Sequence, residues 1–380
     1  MSIRTLHTLA AAALLLAATA ARADAPSYTI IDLGVVGSGT ASQANGISPN
    51  GQIVVGRSLG TGFTAYSWTS TGGMVGLPNL AGRNFAVAND VNDAGLVVGT
   101  SSTTSFGSSP LPVMWNNGAI TALTMPAGFT VGQANSVNAA GVVAGAVGSG
   151  IAQRAALFVG GVGSLITATS ANGSFMTVAF GINDAGLVVG SGIDPSNAAV
   201  NVGMVYDSVT GVMTTVGALP GANGALNFGV SNSGHVVGSS MLNQGSGQPF
   251  VWSAAGGMTA IGLPPATSQA SARGVNDQGW VVGTAGGAFA VPFLYADGST
   301  YALQSLLAPG SGWDLSSNTS SSALAITNDG SIVGTAVHDG LTHAYAMRLT
   351  AAVPEPASWA LLLAGLGLGA ALARRRGAGA

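Results

Sequence analysis

The chain has no cysteine, no lysine and a single glutamate, Glu355, in 380 residues. Without cysteine there is no disulfide scaffold, thiol nucleophile, iron–sulfur site or cysteine zinc site. Charged residues make up 6% of the chain, against about 25% in an ordinary globular protein. A formal net charge of −3 cannot build the cationic face that displaces counterions from phosphate, which excludes a nucleic-acid partner. Scarce charge does not mean disorder, because 47% of the residues are hydrophobic and disordered chains are poorly apolar. Glycine is what abounds, with 59 residues. Length allows two domains or one large all-β domain.

Both ends read as addressing segments. Residues 1–23 have a polar start at Arg4 and His7, an apolar run from Leu9 to Ala18, and a small-residue cleavage site with Ala21 and Ala23. This is the pattern of a secretory signal peptide, and the mature chain is expected to begin near Asp24. Residues 351–380 carry Val353, Pro354, Glu355 and Pro356, an apolar stretch from Ala357 to Ala373, and the cluster Arg374, Arg375, Arg376. The stretch is just long enough to span a bilayer as a transmembrane helix, with the arginines retained on the cytoplasmic side. The prolines leave an extended backbone open to cleavage. This three-part tail resembles the PEP-CTERM sorting signal of Gram-negative bacteria. The resemblance implies an exosortase-type processing enzyme as partner, transient membrane insertion, and a destination at the cell surface or outside the cell. A plain membrane anchor is the competing reading.

Between the ends, residues 24–350 repeat one unit seven times. Each unit has a short β run, then Asn, Ser or Thr, then glycine three residues later, and a second glycine a few residues on. The first glycines are Gly51, Gly95, Gly141, Gly186, Gly234, Gly279 and Gly330. The second are 43, 46, 45, 48, 45 and 51 residues apart. This is the composition of a hairpin turn whose glycine takes positive φ, with the Asn, Ser or Thr bonding turn amides. The first copy has one residue more, which predicts a bulge in its return strand. A third run such as Phe250-Val251-Trp252 and a fourth such as Met258 to Ile261 complete four strands in about 45 residues.

Tyr28 to Leu33 reads as a fourth strand that precedes every hairpin, and Ala344 to Leu349 as a third strand that never receives a fourth. Pairing the two closes a ring. The expected fold is therefore all-β, a seven-bladed β-propeller, over a β-helix or open array. The units resemble the extracellular HAF repeat family, with His343-Ala344-Tyr345 nearest to its His-Ala-Phe run. That resemblance implies secretion and a repeat fold and supplies no catalytic residue.

Chemistry is sparse. Asp93, Asp184, Asp277 and Asp329 fall in the hairpin turns and read as turn formers, since Pro, Ala and Asn stand at the same position in other units. Asp194, Asp207, Asp297 and Asp314 escape that pattern and are the carboxylates available to a glycosidase. His235 follows a turn glycine, and His338, His343 and Asp339 lie in the last loop, where a His–Asp pair could serve a triad, with no G-x-S-x-G elbow to support it, and His338, Asp339 and His343 could serve a metal. Trp68, Trp115, Tyr206, Trp252 and Tyr295 recur at one repeat position and are expected in the core. Phe63, Phe106, Trp280 and Trp313, off the register, are the better binding candidates. The sequons at Asn172 and Asn318 carry little meaning in such a protein. No cofactor or metal is expected. The reading is a non-catalytic structural or binding module of the cell surface or exopolysaccharide matrix, with glycan contacted through Ser/Gly-rich loops near 100–110, 192–202 and 308–322. The alternative is a secreted polysaccharide hydrolase or lyase.

Overall fold

The computed structural model describes residues 25–104, 107–241 and 247–350. Ala21, Ala23, Phe106, Val353 to Pro356 and Arg374 to Arg376 lie outside the described residues, as do the expected signal peptide and transmembrane helix. Among the described residues no helix is long and apolar enough to cross a membrane. Tyr28–Leu349 form one compact unit.

Tyr28–Leu349 is all-β. Gly132–Val137, Val143–Val147, Arg154–Val159 and Val162–Leu165 form an antiparallel sheet in chain order. The stretches 175–215, 224–260 and 269–302 form three more of the same kind. The foursomes at 41–76 and 85–122 are joined into one eight-stranded sheet by a single parallel bridge between Phe63 and Phe85. The last sheet takes Ser322–Ile326, Ile332–His338 and Leu341–Leu349 from one end of the chain and Tyr28–Asp32 from the other. Tyr28 lies opposite Leu349 and Asp32 opposite Tyr345, as expected of a strand lacking a partner. A two-residue strand, Trp313–Asp314, pairs with the far end of Ile332–His338.

Each hairpin is made the same way. In the second, the Gly95 amide donates to the Asn92 carbonyl (3.0 Å) and the Asn92 amide to that of Leu96 (3.2 Å). Gly95 sits at φ 78°, where a β-carbon is strained. The second glycine of each unit has a different reason. A β-carbon on Gly99 would collide with the Val87 carbonyl across the hairpin, and one on Gly56 with that of Gln43. The first copy corrects the sequence expectation. Its return strand pairs without interruption from Val54 to Leu59, and the additional residue, Gln52, is taken up in the turn, with its amide donating to Asn50 Oδ1. The bulge lies in the first strand instead, in every hairpin, six residues before the turn glycine. The unpaired residues there are Asn45, Asn89, Asn135, Phe180, Phe228, Arg273 and Leu324.

The core fills the space between successive sheets. Trp115, 1% exposed, packs with Val97 and Ala86 of its own sheet and with Val55 and Ala65 of the preceding foursome. Trp68 meets Val333, Ala344 and Ala346 of the last sheet, so the first and last sheets of this unit share one core. Tyr206, Trp252 and Tyr295 are half-buried against preceding sheets in the same way. Burying one such ring contributes about 3 kcal/mol. The first strands touch in sequence, Ala41–Ile47 against Phe85–Val91, that against Gly132–Val137, and onward to Ser322–Ile326, which touches Ala41–Ile47 again.

Candidate functional site

Where the hairpin turns converge, they line a single recess of ≈ 200 Å³. Its rim is stitched by side chains of the turns themselves. Asn92 Nδ2 donates to the Asn138 carbonyl, Asn138 to Asn183, Asn183 to Ser231, and Asn276 to Thr327. The same asparagines accept amides of their own turns, Leu96 and Val142 among them. The turn aspartates also reach across. Asp93 accepts the Asn50 amide, Asp184 that of Ala139, and Asp277 that of Ser233. Only Asp329 works locally, on Thr327 and Ser331. Asp93, Asp184 and Asp277 thus do more than form their own turns, because each joins its unit to the unit before it.

The bulged residues divide into two arcs. Asn45, Asn89 and Asn135 each donate Nδ2 to a carbonyl of the next first strand, Ala88, Ala134 and Ala179 respectively. Phe180 and Phe228 instead pack ring to ring at 5.3 Å, and the Arg273 guanidinium lies 4.0 Å over the Phe228 ring. Among the described residues Arg273 pairs with no carboxylate, and the surrounding protein lowers its pKa. It faces a cavity of ≈ 470 Å³ that Met241, Gln269 and Phe289 also line. The residue after the bulge is small in most units because a β-carbon at Gly46 or Gly229 would press on the neighbouring strand's backbone. Asp90 is the exception. Its carboxylate accepts the amides of Val91 and Val137 and the Ser136 hydroxyl, and burial pushes its pKa up to about 6. Sequence reasoning missed this whole set, although its signal was present at a fixed offset from the turn glycine.

Several candidates named from sequence do meet. His235, Trp252, Trp280, Tyr295 and Asp297 line one cavity of ≈ 290 Å³. The Trp280 indole donates to Asp297 Oδ1 at 3.2 Å, and Asp297 holds a positive φ of 51° at its turn. His235 Nδ1 is 2.8 Å from the Ser233 hydroxyl. The rings are half-buried, packed on the core along one side and open along the other. That geometry suits stacking against a sugar face, with Asp297 and His235 at its edge for hydroxyl groups.

Other candidates are placed differently. Trp313 is buried in the core, and Phe63 lies between the Arg57 guanidinium at 4.6 Å and the Phe85 ring at 5.3 Å, so neither is a free platform. Asp194, Asp207 and Asp314 each close their own loop. Asp194 and Asp207 are held below the usual carboxylate range by hydrogen bonds from Ser196 and Thr210. At Asp314, burial works upward and the Ser317 hydroxyl and amide outweigh it. The segment 192–202 is no loop, because Asn197–Asp207 is an eleven-residue strand paired with Leu187–Asp194. Asn318 spends its side chain on a local turn, and Asn172 Oδ1 does the same while its Nδ2 donates to Asp194 Oδ2 at 3.2 Å. His338 and His343 do converge with a carboxylate, but it is Asp32: His343 Nδ1 lies 2.9 Å and His338 Nδ1 3.4 Å from its Oδ2. Asp339 stands outside, 3.9 Å from His338 Nε2.

Residues 352–376 match the PEP-CTERM protein-sorting motif. The motif marks a protein exported across the inner membrane, processed by exosortase, and sorted to the surface or outside the cell. No curated protein is matched by the sequence. Among solved structures, TolB from Acinetobacter baumannii is 13% identical, with 61% of this chain and 54% of that one covered and a TM-score of 0.41. This chain thus spans about half the length of that TolB. Oligogalacturonate lyase from Vibrio parahaemolyticus gives 10%, 85% and 97%, with a TM-score of 0.49. An oligogalacturonate lyase in complex with manganese gives 11%, 87% and 98%, with a TM-score of 0.50. At 11% identity and a TM-score of 0.50, the last of these likenesses concerns the fold alone. The chain is an all-β protein of propeller-like fold. It ends in a PEP-CTERM sorting motif.

Proposed function

We propose that the chain is a seven-bladed propeller of HAF-type repeats that is displayed on a Gram-negative cell surface or in its exopolysaccharide matrix, and that binds glycan there without turning it over. The observation that carries this reading is the cavity in which Trp252, Trp280 and Tyr295 stand open beside Asp297 and His235. Aromatic faces supply contact area at low entropic cost, and the polar edge supplies orientation. In the separate cavity of ≈ 470 Å³, Arg273 lies over Phe228 and pairs with no carboxylate among the described residues, a second contact that favours acidic chains over neutral ones. Binding at one such cavity is weak, and display of many copies on a surface multiplies it.

The test is a glycan array probed with the mature protein and with Trp280→Ala and Arg273→Ala. Loss of signal in Trp280→Ala across the array, and loss confined to uronate-containing glycans in Arg273→Ala, supports the reading. Undiminished signal in both removes it. The second reading, a polysaccharide hydrolase or lyase, draws on Asp90, whose pKa of about 6 is in the range of a general acid. Its oxygens are already engaged by Ser136, Val137 and Val91, so we favour binding.

A further inference from the structure

Two histidines and one aspartate meet at the seam where the first strand of the compact unit joins the last hairpin. Asp32 ends the strand Tyr28–Asp32, His338 ends Ile332–His338, and His343 lies on Leu341–Leu349 beside it. His343 Nδ1 is 3.0 and 2.9 Å from the two carboxylate oxygens of Asp32, and His338 Nδ1 is 3.4 Å from Oδ2. One donor atom from each residue lies within 4.8 Å of the other two. The His338 ring is held in place by Trp313, stacked at 4.4 Å with 13° between the planes. Its other nitrogen points toward Asp339. The Gly34 amide donates to Asp32 Oδ1 at 2.8 Å and orients the carboxylate.

We propose that this trio binds a divalent transition-metal ion of the zinc type, through Nδ1 of His338, Nδ1 of His343 and one oxygen of Asp32. Three corners of a tetrahedron with bonds of 2.0–2.1 Å are about 3.3 Å apart, close to the 2.9 and 3.4 Å between Asp32 Oδ2 and the two imidazole nitrogens, with the third pair of donors within 4.8 Å. Two imidazoles and one carboxylate suit zinc and its neighbours, whereas calcium and magnesium take oxygen ligands. The three side chains are 14–31% exposed, which leaves the remaining coordination position open to water. The competing account is a metal-free clasp in which protons on the imidazoles satisfy Asp32. An ion bound here would tie residue 32 to residues 338 and 343. It would bind the folded unit and not the unfolded chain, and so raise its melting temperature.

The test uses untagged full-length protein stripped with a chelator, then titrated with Zn2+ by calorimetry and melted with and without the ion. The expected result is one ion per chain and a higher melting temperature. His338→Ala and His343→Ala should each lose more affinity than the ~10–100-fold that follows loss of an outer partner. Because these variants also remove bonds to Asp32, Co2+ added to the unaltered protein gives an independent reading, the visible absorption of four-coordinate cobalt. Failure of the unaltered protein to bind Zn2+ more tightly than about 100 µM overturns the proposal. Stoichiometric binding that survives in the double variant also overturns it. His235→Ala, away from the seam, should bind Zn2+ as the unaltered protein does.

Discussion

Asp184 and Asn232 hold each other across successive sheets: the Asp184 amide donates to Asn232 Oδ1 at 2.9 Å, and Asn232 Nδ2 donates back to the Asp184 carboxylate at 2.8 Å. Asp277 and Asn328 repeat the arrangement at 2.9 and 2.7 Å. Two bonds in opposite directions fix the spacing of neighbouring turns. Each net bond is worth about 1 kcal/mol, somewhat more with an ionised partner. Asp184→Ala and Asn232→Ala should each lower unfolding stability by about 1–2 kcal/mol. In a double-mutant cycle they should couple by about 1 kcal/mol, because both report the same contact. Additive losses would mean that Asp184 and Asn232 do not stabilise each other and that the effect of Asp184 comes from its bond to the Ala139 amide.

The two glycines of each hairpin should respond differently to alanine. Gly95→Ala places a β-carbon at φ 78° and should cost about 1–2 kcal/mol. Gly99 has no unusual φ, but its β-carbon would collide with the Val87 carbonyl, so the paired strands must separate. Gly99→Ala should therefore be the more damaging of the two in chemical denaturation. Equal losses would contradict this.

Much of this was legible in the sequence because it is local and periodic. Turn chemistry repeats, the aromatic position repeats, and the unpaired terminal strands announce each other. What escaped depends on contacts between units. Asp184 looks like a turn residue until Ala139 and Asn232 are placed beside it. Asp32 was overlooked as a partner of His343 because 311 residues separate them and only closure brings them together. Asp339, adjacent to His338 in sequence, is the carboxylate that the sequence groups with the two histidines, and it stands 3.9 Å from His338 Nε2, outside the trio. The bulge positions were readable six residues before each turn glycine, but their variety, from Asn89 to Phe228 to Arg273, disguised them as unrelated residues.

Stability should pass through a maximum in mildly acid solution. Burial raises the folded pKa of Asp90 from 3.8 to about 6. Its contribution is thus complete below about 3.8 and is lost as pH rises through 6, a change of about 1–3 kcal/mol. Asp314 and Asp329 have the opposite sign. At both, burial works upward but hydrogen bonds win, from Ser317 in one case and from Thr327 and Ser331 in the other, and hold the pKa low. Their contributions are lost as pH falls below the usual carboxylate range. Melting temperatures across pH 3–8 should therefore peak between these limits, and Asp90→Asn should flatten the limb between pH 4 and 6.

Removing residues 24–34 takes away the outer strand of the last sheet and with it the partner of Leu341–Leu349. It also strips Leu33 from the core it shares with Trp68 and Ala346. The loss should be several kcal/mol, enough to unfold or aggregate a domain of ordinary stability. Melting at the unaltered temperature would contradict closure through this strand.

The claim that this is a binding module is tested most directly by incubating the mature protein with the polysaccharide it retains most strongly, and by measuring bound protein and released chain ends in the same sample. Binding that saturates with no chain ends accumulating above the protein-free control is the predicted result. Sustained release of ends, abolished by Asp90→Asn, Asp194→Asn or Asp314→Asn in a folded variant, would contradict it and make the protein an enzyme.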